Sequence, residues 1–313
     1  MTHDDNPPLT RPLRLGTRGS PLALVQAHMV AAALRAAHGW DENAIDIVTV
    51  RTDGDRIQDR PLADIGGKAL WTKELDRALA EGVIDFAVHS MKDVETIRPE
   101  EIVIAAMLPR ADVQDRLIGA KSVAALPKGG KVGTSSPRRA AKLLQLRPDL
   151  SIVLFRGNVA RRLARLEAGE ADATLLAAAG LIRLGDAETG YDIPLDIMLP
   201  APAQGAVGIE TLAENASIRH LLAVIDDSDT SDCVRSERAF LLGLGAGCHS
   251  PVAALARIED EGIFLKAEIL SIDGTEHVAG EARFHRGDEE AAKMLASDLL
   301  KKASPALRAL FTP

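Results

Sequence analysis

One short strand–turn–helix motif occurs twice in this chain and restricts the folds that the chain can adopt. Residues 13–16 form a predicted strand, and Thr17-Arg18-Gly19-Ser20-Pro21 leads from it into a predicted helix over about residues 22–37. Gly133-Thr134-Ser135-Ser136-Pro137 repeats the pattern, with Ser136 as N-cap and Pro137 at the first helical position. The repeat predicts two similar α/β halves, each directing a helix N-terminus at a ligand. Chance is the alternative explanation for so short a repeat.

The second copy lies in a strongly basic stretch, Lys131 to Arg165. Nine of its 35 residues are basic and only Asp149 is acidic, within a chain of net charge -8. Arg138 and Arg139 fall in the first turn of the predicted helix, where the helix dipole disfavours cations, so an anion is expected beside them. A solvated helix face is the alternative. A nucleic-acid site is disfavoured by the overall acidity and by an aromatic content of 3%.

The rest of the chain predicts three domains. An α/β domain is expected over residues 12–108 plus 206–228, and it is discontinuous because the Pro- and Ala-rich segment 200–206 returns the chain to it. A second α/β domain with the basic cleft covers 112–202. A small α+β domain covers 230–313, where two strands meet in a hairpin at Asp273-Gly274. The polar N-terminus, without an apolar signal core, predicts a cytoplasmic protein.

Asp93 and Cys248 are the residues most suited to chemistry. Asp93 follows a predicted strand over residues 84–88, at the edge of an open α/β sheet where ligands bind, and a general acid or a turn cap are both open roles. Cys248 lies in a loop between Gly247 and His249, whereas Cys233 is expected in a core. The spacing of the two cysteines matches no zinc pattern, and no metal site is predicted.

Seven short motifs occur in order along the chain: residues 16–24 (GTRGSPLAL), 89–94 (HSMKDV), 132–136 (VGTSS) with Arg138 and Arg139, 156–159 (RGNV), 179–181 (AGL) with Arg183 and Leu184, 204–210 (QGAVGIE) and 247–248 (GC). By these motifs the chain resembles the porphobilinogen deaminase (hydroxymethylbilane synthase) family over nearly its full length. The fold it implies has two similar α/β domains with mixed sheets resembling type II solute-binding proteins, and a small C-terminal α+β domain that carries a cofactor cysteine.

The resemblance also implies a reaction. Enzymes of this family are transferases of tetrapyrrole (haem and chlorophyll) biosynthesis that join four porphobilinogen molecules, releasing ammonia each time, and free the linear product hydroxymethylbilane by hydrolysis. They build it on a dipyrromethane cofactor, which by position would be bound through a thioether to Cys248. Each porphobilinogen carries two carboxylates, so a run of arginines suits the growing chain. A monomer that passes its product to a downstream synthase is expected.

Residue roles follow by position. Asp93 would be the catalytic carboxylate, stabilising positive charge near the pyrrole nitrogens. The cofactor would be held by Lys92, Thr134, Ser136, Arg138 and Arg139. The incoming substrate would be bound by Arg18, Ser20, Gln26, Arg156, Asn158, Arg162, Arg183 and Gln204. Lys68 and Trp71 would belong to a lid loop.

The sequence departs from the family pattern at two places. The lid usually reads Gly-Gly-Lys-Gly-Leu-Phe, and here Ala69 and Trp71 replace the third Gly and the Phe. Ala203 stands where a Gly often precedes Gln204. These changes put loop and hinge freedom in doubt. A solute receptor is the alternative function class, but it would need an export signal and has no use for Cys248.

Overall fold

A computed structural model describes residue 9 and residues 11–50, 72–247 and 250–311. The strands in these ranges are β1 (Leu13–Arg18), β2 (Ile45–Val50), β3 (Phe86–Ser90), β4 (Ile102–Met107), β5 (Asp115–Ile118), β6 (Lys131–Gly133), β7 (Ser151–Val153), β8 (Ala173–Ala177), β9 (Tyr191–Ile193), β10 (Val207–Leu212), β11 (Val252–Glu259), β12 (Gly262–Leu270) and β13 (His277–His285). The helices are α1 (Pro21–His38), α2 (Lys73–Ala80), α3 (Pro137–Leu146), α4 (Val159–Glu167), α5 (Ala178–Arg183), α6 (Ala216–Ala223), α7 (Ser228–Leu244), α8 (Glu289–Lys302) and α9 (Pro305–Arg308).

Two five-stranded mixed sheets share one topology. The first has the order β2-β1-β3-β10-β4 and the second β7-β6-β8-β5-β9. In each sheet the first three strands are parallel, and the fourth runs antiparallel to both of its neighbours. These antiparallel strands are β10 in the first sheet and β5 in the second. Each is the first strand after the chain crosses from the other sheet. The prediction of two similar α/β halves is confirmed.

The two helices that the repeated strand–turn–helix motif predicts are present. Ser20 caps α1 by accepting a hydrogen bond from the Ala23 N–H, and Ser136 caps α3 by accepting one from the Arg139 N–H. Proline stands at the start of both helices. Helix α1 buries Val30 and Leu34 against the first sheet. Each helix therefore begins at the carboxyl end of a parallel strand, which places both N-termini at ligand-binding edges.

The two crossings between the sheets lie side by side. Arg110, between β4 and β5, donates from Nε to the Gln204 carbonyl at 2.9 Å and pairs with Glu237 of α7 at 2.8 Å. Glu237 is fully buried and also accepts from the Ala203 and Ala256 N–H groups. Ala203 has a φ of 61°, in the left-handed region that favours glycine. This backbone conformation explains why a glycine is favoured at that position.

The C-terminal unit is an antiparallel sheet, β11-β12-β13, packed on α7 and α8. The Asp273-Gly274 turn joins β12 to β13, with Gly274 at a φ of 72°. Both predicted strands, β12 and β13, are present. The prediction missed a third strand, β11, because this alanine-rich segment lacks the alternation typical of a strand. Cys233 is buried in this core, as expected.

Several predicted features lie outside the described residues: Lys68, Ala69, Trp71 and Cys248. The strand expected over residues 84–88 instead runs from Phe86 to Ser90. In the described ranges, no helix has the length and apolar character needed to cross a membrane.

Candidate active site

A pocket opens at the carboxyl ends of β1 and β3. Four of the predicted site residues line it, Arg18, Ser20, Gln26 and Asp93. Gln26 is buried on α1, and its side-chain amide exchanges hydrogen bonds with the Ser90 hydroxyl at 2.8 and 3.1 Å. Because both groups of the amide are engaged, Gln26 has a fixed orientation beside the segment that carries Asp93.

Asp93 closes a single 3₁₀ turn, Met91–Asp93, directly after β3. The turn is fixed by the Met91 N–H, which donates to the Ala206 carbonyl at 3.1 Å, and by the Val94 N–H, which donates to the Met91 carbonyl at 3.2 Å. Asp93 favours the charged forms of both Lys92 and Arg162, so its carboxylate faces cations from both halves of the chain. A carboxylate in this position can stabilise a positive charge that develops between the two sheets.

Lys92 lies in an environment rich in cations. Burial and the neighbouring Arg139 lower the pKa of its amine to about 8. The amine donates to the Gln204 Oε1 atom at 3.4 Å. Gln204 in turn donates from Nε2 to the Val113 carbonyl at 2.8 Å and to Asp115 at 2.9 Å. Gln204 thus bridges Lys92 of the first half to the second half.

Arg138 and Arg139 contact an anion that the sequence reasoning did not identify. Asp115, at the start of β5, is almost completely buried and accepts from the Nη2 atoms of both arginines at 2.7 Å. Burial raises the pKa of this carboxyl, but the two arginines outweigh that effect and hold the pKa well below its ordinary value. The anion beside the first turn of α3 therefore includes a side chain of the protein itself.

Each of the two arginines also donates from Nη1 to a backbone carbonyl, Arg138 to Leu199 and Arg139 to Leu175. Their Nε atoms are buried, and neither has a hydrogen-bond partner within the described residues. A buried N–H group without a partner costs about 1–3 kcal/mol. Both arginines are thus held firmly by the protein, while the Nε–H donor of each is left for a further group.

The loop before α3 contributes polar groups to the same region. The Thr134 hydroxyl oxygen accepts from the Ser136 N–H at 3.1 Å, and the Ser136 oxygen accepts from the Arg139 N–H at 3.4 Å. Both hydroxyls are acceptors in these bonds, so each retains its proton for donation to an anion. Arg162 of α4 reaches the same loop and donates to the Ser135 hydroxyl at 3.3 Å.

Arg162 and Arg183 are cations in poorly solvated positions. Burial, with the nearby Arg139, lowers the pKa of Arg162 to about 10. Burial also lowers the pKa of Arg183, whose Nη2 donates to the Gly205 carbonyl at 2.7 Å while its buried Nε has no partner in the described structure. Arg139 contributes to the lowered pKa of both Lys92 and Arg162, which indicates a local surplus of positive charge that an anionic ligand would relieve.

The remaining predicted residues occupy the start of α4. Asn158 is its N-cap and accepts from the Arg161 N–H at 3.0 Å, while Arg156 is buried just before it. The structure thus brings most predicted site residues to the space between the two sheets. Sequence reasoning missed Asp115 and Ser135, and the only signal for Asp115 was its position just after the first crossing.

The chain matches known proteins over most of its length. The family model described as "Porphobilinogen deaminase, dipyromethane cofactor binding domain" matches residues 13–220, and "Porphobilinogen deaminase, C-terminal domain" matches residues 231–304. A porphobilinogen deaminase of Sphingopyxis alaskensis is 55% identical over 306 residues, covering 96% of each chain. One of Paracoccus denitrificans is 47% identical over 298 residues, covering 94% of this chain and 95% of that protein.

Solved structures similar to the chain include the VFT2 domain of Bordetella pertussis BvgS, with 15% identity, a TM-score of 0.41 and coverage of 69% of this chain and 85% of that one. An arginine-specific periplasmic binding protein of Salmonella typhimurium has 14% identity, a TM-score of 0.41 and coverage of 71% and 94%. These scores are too low to support a conclusion. The family models and the relatives, in contrast, agree along the whole chain, which belongs to the porphobilinogen deaminase family.

Proposed function

We propose that this chain is a hydroxymethylbilane synthase, a transferase that joins four porphobilinogen molecules into hydroxymethylbilane, with release of ammonia, in tetrapyrrole biosynthesis. The structural observation that carries the proposal is the surplus of buried cations around Asp93. Lys92 and Arg162 both interact with the Asp93 carboxylate, and burial and Arg139 lower the pKa values of both. Each porphobilinogen that is added brings two carboxylates. Their negative charge offsets the surplus positive charge of these side chains.

The residues present fit a dipyrromethane cofactor. Two linked pyrroles with acetate and propionate arms offer carboxylates, and the buried Nε atoms of Arg138 and Arg139 have no partner in the described structure. Lys92, Thr134 and Ser136 would complete the cradle with an ammonium and two hydroxyl donors. When bound through a thioether to Cys248, the cofactor supplies the pyrrole carbon that is extended. Lys68 and Trp71 stay predicted members of a lid.

The incoming porphobilinogen would be bound across the pocket. Arg18 and Ser20, which line the pocket, would bind it from the first half, and we propose that Arg156, Arg162 and Arg183 bind it from the second. Arginine suits this task because its planar fork holds a carboxylate by two bonds. We propose that Gln26, Asn158 and Gln204 act mainly by fixing neighbouring groups, because their side chains are already engaged with Ser90, Arg161 and Asp115.

Asp93 would be the catalytic carboxylate, stabilising positive charge on the pyrrole nitrogens and accepting or returning their protons. We expect Asp93→Ala to abolish turnover while the protein stays folded, and Asp93→Asn to lose most activity because the amide keeps the shape without the charge. Asp298→Ala, which removes an exposed carboxylate of α8, is the control. Near-normal turnover in Asp93→Ala would overturn this role.

The first test of the whole proposal is the intact mass of the purified protein, with peptide mapping of the segment that contains Cys248. We expect an adduct of two linked pyrrole units on this cysteine. If the thiol is unmodified, incubation with porphobilinogen should attach the unit. A thiol that stays bare after this incubation, together with no conversion of porphobilinogen, would refute the proposal and favour a binding protein.

The proposal extends to the domain boundaries, the oligomeric state and the location of the protein. The domain boundaries, 12–108 plus 206–228, 112–202 and 230–313, are supported by the membership of β10 in the first sheet. A monomer, a cytoplasmic location and transfer of the product to a downstream synthase stay predictions. Size-exclusion chromatography with light scattering checks the first of these.

A further inference from the structure

The residues that follow Asp93 are held by the C-terminal unit. We call Val94, Glu95 and Thr96 the 94–96 segment. Arg238 of α7 donates to all three of its carbonyls, from Nη2 to Glu95 at 2.6 Å and to Thr96 at 3.2 Å, and from Nη1 to Val94 at 3.3 Å. Burial lowers the pKa of this guanidinium. Three carbonyls on one rigid fork fix the backbone directly after Asp93.

The same segment contacts the backbone that leads to Cys248. The Thr96 hydroxyl donates to the Ala246 carbonyl at 2.9 Å, and Ala246 precedes Cys248 by two residues. Ala246 is itself fixed to the end of α7, because its N–H donates to the Leu241 carbonyl at 2.9 Å. On the other side of Cys248, the Ser250 N–H donates to the Gly247 carbonyl at 3.1 Å and the Ser250 hydroxyl accepts from the Gly247 N–H at 3.3 Å.

Helix α7 therefore contacts both the 94–96 segment and the backbone that leads to Cys248. Arg238 in its last half binds the 94–96 segment, and its C-terminal end carries Ala246, to which Thr96 is bonded. Asp93 lies three residues from Thr96 along the chain, so few backbone torsions separate the catalytic carboxylate from the attachment segment of the cofactor. A misplacement of about 1 Å between reacting groups costs about 100-fold in rate.

We infer that Thr96 and Arg238 are positioning residues that set the distance between Asp93 and the dipyrromethane attachment segment. This inference rests on the proposed function, because the contact between Thr96 and Ala246 can position the cofactor only if Cys248 carries it. Without a cofactor on Cys248, the bonds that the Thr96 hydroxyl and the Arg238 guanidinium donate to backbone carbonyls would contribute to stability alone.

Thr96 offers the sharper test, because its bond can be removed and restored without changing the backbone. Thr96→Val removes the hydroxyl, Thr96→Ser keeps it, and Thr211→Val is the matched control. Thr211 is buried in the first sheet and makes the same kind of bond, to the Asp85 carbonyl at 2.8 Å. Arg238→Lys keeps the positive charge but removes the planar guanidinium that binds the three carbonyls.

Three quantities are measured for each variant: the rate at which the apo-protein gains the two-pyrrole mass on incubation with porphobilinogen, kcat and KM of the loaded enzyme, and Tm. We expect Thr96→Val to lose about tenfold in kcat and in attachment rate, which corresponds to about 1.4 kcal/mol, with KM within about twofold of the wild type. Thr96→Ser should recover both rates. Arg238→Lys should lower kcat in the same direction.

The control separates position from stability. Thr211→Val should lower Tm by at least as much as Thr96→Val does, because Thr211 is fully buried and Thr96 only partly, with kcat and attachment rate unchanged. If Thr96→Val matches Thr211→Val in both rates, the positioning role is refuted. If Arg238→Lys does not fold, the Thr96 variants decide. A wild-type protein that gains no adduct and converts no porphobilinogen refutes the proposed function instead, so the two failures are distinct.

Discussion

Replacing Asp115 by asparagine should expose how much of the cation cluster depends on one internal carboxylate. Asp115 accepts two bonds from charged donors, the Nη2 atoms of Arg138 and Arg139. Bonds to charged groups contribute about 1.5–3 kcal/mol each, and asparagine keeps one acceptor oxygen. Removing one partner of a buried ion pair costs about 3–5 kcal/mol, because the remaining charges lose their compensation. We therefore expect Asp115→Asn to lower the free energy of unfolding by about 3 kcal/mol.

Urea unfolding of the apo-protein measures this loss. The matched control is Asp192→Asn, which removes the carboxylate that Arg116 contacts in the same sheet, at a site where Asp192 is 46% exposed. An exposed pair contributes about 0–1 kcal/mol, so the control should change little. The loss in Asp115→Asn should shrink once the cofactor is attached, because its carboxylates offset the same arginines. Equal losses in the two variants, or no change on loading, would refute this reasoning.

Three further predictions concern single residues. Because burial and Arg139 lower the pKa of Lys92 to about 8, half of its amines are neutral at that pH in the apo-protein, and the carboxylates of an attached cofactor should raise this pKa; an NMR titration of the amine that gives the same pKa in the apo-protein and the loaded protein would contradict this. Gly205→Ala should destabilise the protein by about 2 kcal/mol or more, because a left-handed conformation disfavours a side chain and the new Cβ would lie 2.5 Å from the Ala111 carbonyl oxygen; Gly39→Ala, also left-handed but in open space, is the thermal-unfolding control and should cost less. Burial and nearby carboxylates raise the pKa of Cys233 to about 12, so iodoacetamide at pH 8 should leave it unlabelled until urea unfolds the protein, and rapid labelling of the native protein by mass spectrometry would contradict its burial.

The local parts of the site were predictable because each depends on a few adjacent residues. A serine before a proline predicts a helix cap, and both Ser20 and Ser136 act as caps. The Asp273-Gly274 turn was predictable for the same reason. Asp93 lies where the sequence placed it, directly after a strand, and it lines a pocket.

The rest depends on pairings that sequence position does not reveal. Asp115 lies 23 residues before Arg138, and nothing local shows that a crossing strand would bring this carboxylate under the two arginines. The reasoning from the helix dipole correctly required an anion there but assigned it to a ligand alone. The alanine-rich β11 was missed because its strand structure comes from pairing with β12 rather than from its own alternation.

The place of β10 in the first sheet also sets an order of folding. Strand β10 lies between β3 and β4, so these two cannot be joined until synthesis has passed residue 212. The second sheet takes all of its strands from residues 115–193 and can form while the remaining chain is still on the ribosome. During that interval β3 and β4 expose unpaired backbone edges. We therefore expect the nascent protein to be most prone to aggregation just before β10 emerges. At that stage the second sheet can already be folded, whereas the first sheet, whose synthesis began earlier, is still incomplete.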